Sequence, residues 1–269
     1  MEDIIKTSLL GLFFGTFGTT LGGIIGITIK NPSNKLLSFI LSLASGLMIA
    51  VVCFELVPEA SEISSIGNTI IGIMIGIFIM IFCDIMVKAK FENKKIKSNA
   101  LLKTGIVVSI GLAIHNIPEG LAIGTGFESS IKLGYSLAIA IAIHDIPEGI
   151  SMAAPMKKGG LKSWKILLYV ILSGITTGVG AFIGAIVGNI SVKIIAICLS
   201  FAAGAMLYIV SGELTPESNK LYSGKMPSIG NMLGFILGYI ATQIWSSLDI
   251  ALYKTFWFFL LSATQIWIS

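Results

Sequence analysis

A chain of 269 residues that is 55% hydrophobic and only 12% charged, with a mean hydropathy of +0.92, is not a water-soluble globular domain, which carries about twice that charge. Apolar runs near the ~20 residues that cross a bilayer as a helix recur along its whole length, and they are too continuous to be barrel strands. The basic residues behind the net charge of +4 are all lysines, and their placement reads as membrane topology rather than as a nucleic-acid surface.

In chain order the pattern predicts an all-α polytopic membrane protein. Its eight transmembrane helices fall at about 4–29, 36–57, 67–87, 101–124, 133–154, 164–188, 193–214 and 229–252. The N-terminal MEDIIK is acidic where a cleavable leader would be basic, so none is expected. Of 18 lysines, 14 lie in the connections between spans 1 and 2, 3 and 4, 5 and 6, or 7 and 8 or in the first turn of the span that follows, with the stretch KAKFENKKIKSN (88–99) the largest such connection. Lysine-rich connections stay in the cytoplasm, which puts both termini outside. Cys53, Cys83 and Cys198 occur singly with no CxxC spacing and read as small packing residues. Residues 1–254 form the helical domain, and the pattern assigns no role to the apolar tail 255–269.

One gapless offset of 158 relates the first three spans to the last three. It sets GLMIAVVCFELVPEA (46–60) on GAMLYIVSGELTPES (204–218), so that Glu55 meets Glu213, Pro58 meets Pro216 and Glu59 meets Glu217. It also sets Gly22 and Gly26 on Gly180 and Gly184, and Gly72 and Gly76 on Gly230 and Gly234. Five spans separate the start of one unit (about 4–87) from the start of the other (about 164–252), so the two enter the membrane in opposite directions. The expected arrangement is 3+2+3 with inverted repeats, a pattern that points to a transporter.

The middle pair carries the chemistry. Both histidines of the chain lie in copies of one hexapeptide, His115-Asn116-Ile117-Pro118-Glu119-Gly120 and His144-Asp145-Ile146-Pro147-Glu148-Gly149. His115 is roughly 18 Å and His144 roughly 16 Å into a core about 30 Å thick, near the midplane. Ionisable groups at that depth are expensive and serve pathways or relays. His and Glu at i,i+4 share a helix face, with Asn116 or Asp145 on the flank. Pro118 and Pro147 each leave a carbonyl without its donor. Gly120 and Gly149 are expected to let the two helices approach each other. The mixed N/O set suits a borderline divalent cation, Zn²⁺ first, with Fe²⁺, Mn²⁺ and Cd²⁺ as alternatives. Glu55 and Glu59 at the outer end, and Glu213 and Glu217 at the inner end, are positions that could collect and release the ion, or simply solvated helix ends. Beside a carrier, an intramembrane metal-dependent hydrolase and a metal-selective channel remain open, although the zinc-protease signature HExxH is absent.

HNxPEG followed by HxxPEG on consecutive spans resembles the ZIP family of divalent-metal transporters, and most of all its bacterial GufA-like branch, over roughly residues 5–252. The resemblance implies a homodimer in the bacterial cell membrane, no cofactor and no enzymatic activity. It also implies influx toward the cytoplasm by an elevator-like, alternating-access movement of helices 1, 4, 5 and 6 against 2, 3, 7 and 8. By matching positions, His115, Glu119, His144 and Glu148 form the principal metal site, and Asn116 and Asp145 with the same glutamates form a second. Here SGITTGVGA (173–181) carries Thr177 where many relatives have a glutamate, so the second site is expected to be weak or absent.

Overall fold

The computed structural model describes residues 2–29, 32–92 and 100–247, with side chains for all of these except 87–92, 100–108 and 244–247. Among the described residues the chain is helical and contains no strand: α1 Glu2–Thr28, α2 Asn34–Ile63, α3 Ile66–Glu92, α4 Ala100–Ser129, α5 Ile131–Lys158, α6 Ser163–Gly188, α7 Val192–Leu221 and α8 Met226–Ser247. Six of them (α1, α2, α3, α5, α6 and α7) are long and apolar enough to cross a membrane. The protein is an all-helical, polytopic membrane protein. The apolar tail 255–269 and most of the lysine-rich connection lie outside the described residues.

Helix starts follow ordinary capping chemistry. Ser33, Ser130 and Ser191 each hold an extended backbone and accept a hydrogen bond from the amide three residues on. Ser130 is also the whole connection between α4 and α5, so the two hexapeptides sit on a tight antiparallel hairpin. The far end of α5 closes with Gly160 at φ 86°, where the Leu161 amide bonds the Met156 carbonyl and the Gly160 amide bonds that of Lys157.

Two helices run further than the apolar pattern predicts. The expected ends at 57 and 214 lie inside α2 and α7, which continue to Ile63 and Leu221. The reason is a π turn in each, over Val52–Leu56 and Val210–Leu214, at equivalent positions of the two repeats. Pro58 and Pro216 follow directly and have no N–H to give the carbonyl four residues back. The Val57 and Thr215 amides bond Val52 and Val210 five residues back instead, and the helix passes its proline rather than stopping.

The packing falls into two groups, which meet where α4 touches α7 and α5 touches α2. α1 packs on α5, α6 packs on α4, and α1 touches α6; separately, α2 packs on α8 and α3 on α7. Glycine sets each crossing. An added Cβ on Gly22 would strike the carbonyl oxygen of Ile146, and one on Gly180 that of Ile117. Gly149 faces Thr19 O, and Gly120 faces Thr177 O. Gly46 faces Asn231 O, and Gly204 faces Ile73 O. Each contact recurs when residue numbers shift by 158 in the outer units and 29 in the hairpin. Gly120 and Gly149 therefore do not bring α4 and α5 together, contrary to the expectation. Each lies one residue past its glutamate, about 100° round the helix, and meets α6 or α1 instead.

A leucine at Gly46 or Gly204 has no space without separating backbones, and overpacking of this kind costs at least about 1–3 kcal/mol. Gly46→Leu should lower the melting temperature in detergent. Gly67→Ala, whose Cβ would find nothing nearer than Ser65 Oγ at 3.8 Å, should leave it unchanged or raise it.

Candidate metal centre

The α4–α5 hairpin brings its two hexapeptides face to face. His115 Nε2 stands 2.8 Å from Glu119 Oε1 and 3.1 Å from Glu148 Oε1. His144 Nε2 stands 2.7 Å from the same Glu119 oxygen and 3.5 Å from Asp145 Oδ1. One oxygen of Glu119 thus touches both imidazoles. His115, Glu119, His144 and Glu148 each offer a donor atom, and all four atoms lie within 4.8 Å of one another. Their side chains are at most 2% exposed.

Hydrogen bonding does not account for this cluster. His144 Nε2 is hydrogen-bonded to Glu119. His115 Nε2, although close to two carboxylates, is aligned for a hydrogen bond with neither. Both oxygens of Glu148, both of Asp145, Glu119 Oε2 and Asn116 Oδ1 are buried without a hydrogen-bond partner among the described residues. So many bare acceptors buried together are costly unless a cation or water satisfies them. The closest donor pairs, at 2.7–3.1 Å, are tighter than the roughly 3.3 Å edge of a tetrahedron with about 2.0–2.1 Å metal–ligand bonds. Admitting an ion therefore requires the donors to part by a few tenths of an ångström.

The flanking positions differ from the central four. Asn116 donates through Nδ2 to the Ser173 carbonyl at 3.0 Å, which fixes its amide on α6 and leaves Oδ1 bare. Asp145 packs where α1 has Gly18 and therefore no side chain. Thr177 is fully buried against Gly15, and its hydroxyl also lacks a partner. Nearby, the Thr19 and Thr176 hydroxyls bond their own backbone, to Gly15 O at 2.7 Å and Ser173 O at 2.6 Å.

The distal glutamates are not in the cluster. Glu55 accepts a hydrogen bond from Ser136 on α5, and Glu59 accepts one from Ser129 at the end of α4. Glu213 lies beside Gly111 of α4. Glu217 is half exposed and pairs with Lys220 at 3.4 Å. Sequence reasoning missed Ser129, Ser136 and Ser173, because isolated serines in apolar helices carry no periodic signal. Asp84 of α3 accepts a hydrogen bond from Tyr208 of α7 at 3.0 Å.

The profile of the family described as ZIP Zinc transporter matches residues 87–244, more than half of the chain and the whole of the hairpin. The chain belongs to the ZIP family. It is 33% identical to zinc transporter ZupT of Clostridium perfringens, over 88% of this chain and 95% of that protein. It is 30% identical to zinc transporter ZupT of an Escherichia coli strain, over 82% and 90%. With zinc transporter ZIP11 of Xenopus tropicalis the identity is 37%, but over only 49% of this chain and 41% of the relative. ZIP membership makes the protein a transporter of divalent metal ions and not an enzyme, so the hydrolase alternative falls away and the metal is cargo rather than cofactor. Bacterial relatives along most of its length, with helices of spanning length, make it a bacterial membrane protein.

Equilibrium dialysis of the purified protein should find that Glu119→Gln weakens metal binding beyond the about 10–100-fold that loss of a ligand's supporting partner costs, because that one oxygen serves both imidazoles.

Proposed function

We propose that the cargo is Zn²⁺ and that it is carried at the midplane by His115, Glu119, His144 and Glu148. The observation that carries this reading is the convergence of four buried donor atoms from two helices, surrounded by further acceptors with no donor. Two imidazoles and two carboxylates are a zinc-like ligand set, and the relatives are named as zinc transporters. Fe²⁺, Mn²⁺ and Cd²⁺ are competitors for the same set. Asn116 and Asp145 assist at a flanking position. Thr177 supplies a hydroxyl where a second ion would need a carboxylate, so one ion is carried at a time. Glu55 and Glu59 serve the outer mouth, and Glu213 and Glu217 the inner.

The recurrence of packing contacts at offsets of 158 and 29 supports a 3+2+3 inverted-repeat domain of eight transmembrane helices within residues 1–254. The two packing groups support alternating access, with α1, α4, α5 and α6 moving as one body against α2, α3, α7 and α8. Both termini lie outside, the ion moves toward the cytoplasm, and the protein works in the bilayer as a homodimer.

Zn²⁺ uptake into liposomes loaded with a fluorescent chelator tests the site. Wild type should fill the vesicles, while His115→Ala and Glu119→Ala should fall to the protein-free background and still elute as folded protein. Full uptake by both variants would remove the hairpin from the path. Uptake of Fe²⁺ or Mn²⁺ but not Zn²⁺ by wild type would keep the site and change the cargo.

A further inference from the structure

Within each packing group the close crossings come in related pairs. Gly22 on Ile146 is matched by Gly180 on Ile117, and Gly149 on Thr19 by Gly120 on Thr177. In the second group Gly72 on Ser200 is matched by Gly230 on Ser42, and Gly76 on Phe201 by Gly234 on Leu43. Between the groups α4 meets α7 as α5 meets α2, and the correspondence breaks at the helix ends. Glu59 of α2 is held by Ser129 at the end of α4. The same offsets carry Glu59 to Glu217 and Ser129 to Lys158, and these two residues are not joined. Glu217 has a 49% exposed side chain and pairs only with Lys220 of its own helix among the described residues. Lys158 is exposed at the last turn of α5.

Two bodies that each obey an exchange of halves, but whose contacts at the two mouths do not, occupy one of two related arrangements. Applying the exchange to the observed contact generates the other. We infer that Lys158 and Glu217 form the ion pair that shuts the inner mouth when the carrier reverses, in place of the Ser129–Glu59 bond that shuts the outer mouth here. The inference rests on the alternating-access reading above. Its chemistry differs between the two ends: a hydroxyl meets the glutamate outside, and an ammonium meets it inside. The Gly160 turn that ends α5 leaves Lys158 exposed at the last turn of its helix.

Charge exchange and cross-linking test the pair in proteoliposomes. Lys158→Glu and Glu217→Lys should each slow Zn²⁺ uptake about two- to fivefold, the range that an exposed ion pair supports, and the double exchange should recover the rate. Additive slowing in the double variant would overturn the pair. In a background with Cys53, Cys83 and Cys198 replaced by alanine, Lys158→Cys with Glu217→Cys should form a disulfide during turnover. It should fail to form once Glu59→Cys and Ser129→Cys have been oxidised together. A transporting protein in which 158 and 217 never cross-link, or do so equally with the outer pair locked, would also overturn it. Uptake that continues through the oxidised outer pair would instead refute alternating access itself.

Discussion

The controlling constraint is the burial of three carboxyl groups and the Asn116 amide oxygen together. Glu119, Glu148, Asp145 and Asn116 are all fully buried, and their unpartnered oxygens surround two imidazoles. In an apolar medium such a cluster is tolerable only when its geometry is imposed from outside and a cation answers it. The surrounding fold supplies that imposition. A one-residue connection fixes the hairpin, Ser173 holds the Asn116 amide, and Gly18 makes room for Asp145.

Backbone-to-backbone packing provides the rigidity. At the crossings of α1 with α5 and of α6 with α4, glycines put one helix directly on the carbonyls of the next. Lipid offers no hydrophobic gain for helix association, so close approach and dispersion must supply it. A hairpin gripped on both flanks in this way holds its two helices in register, so that in the proposed movement its ligands would shift as a group. The outward apolar faces of α3 and α8, with Phe78, Phe82, Met232 and Ile236 exposed, are free of such grips.

Much of this was legible before any coordinates. The two hexapeptides named the central residues, their i,i+4 spacing put His and Glu on one face, and the offset of 158 anticipated which glycines would share a role. What the sequence hid has physical causes. The π turns at Val52–Leu56 and Val210–Leu214 were invisible because proline ordinarily signals a helix end, and only the accommodation of Pro58 and Pro216 by wider hydrogen bonding shows otherwise. The partners of Gly120 and Gly149 depend on helix rotation, which a motif does not state. Ser129 and Ser136 acquire meaning only through the glutamates that approach them from α2.

The single residue between α4 and α5 has a kinetic consequence. If the carrier moves as proposed, a hairpin closed by Ser130 and held by glycine contacts to α1 and α6 carries the ion with its ligand set intact. Release then depends on water replacing ligands one by one at the metal, not on the site being pulled apart. Throughput is tied to the lability of the cation's coordination shell, so that an ion bound as tightly but exchanging its ligands slowly would ride the carrier as a blocker rather than as a passenger.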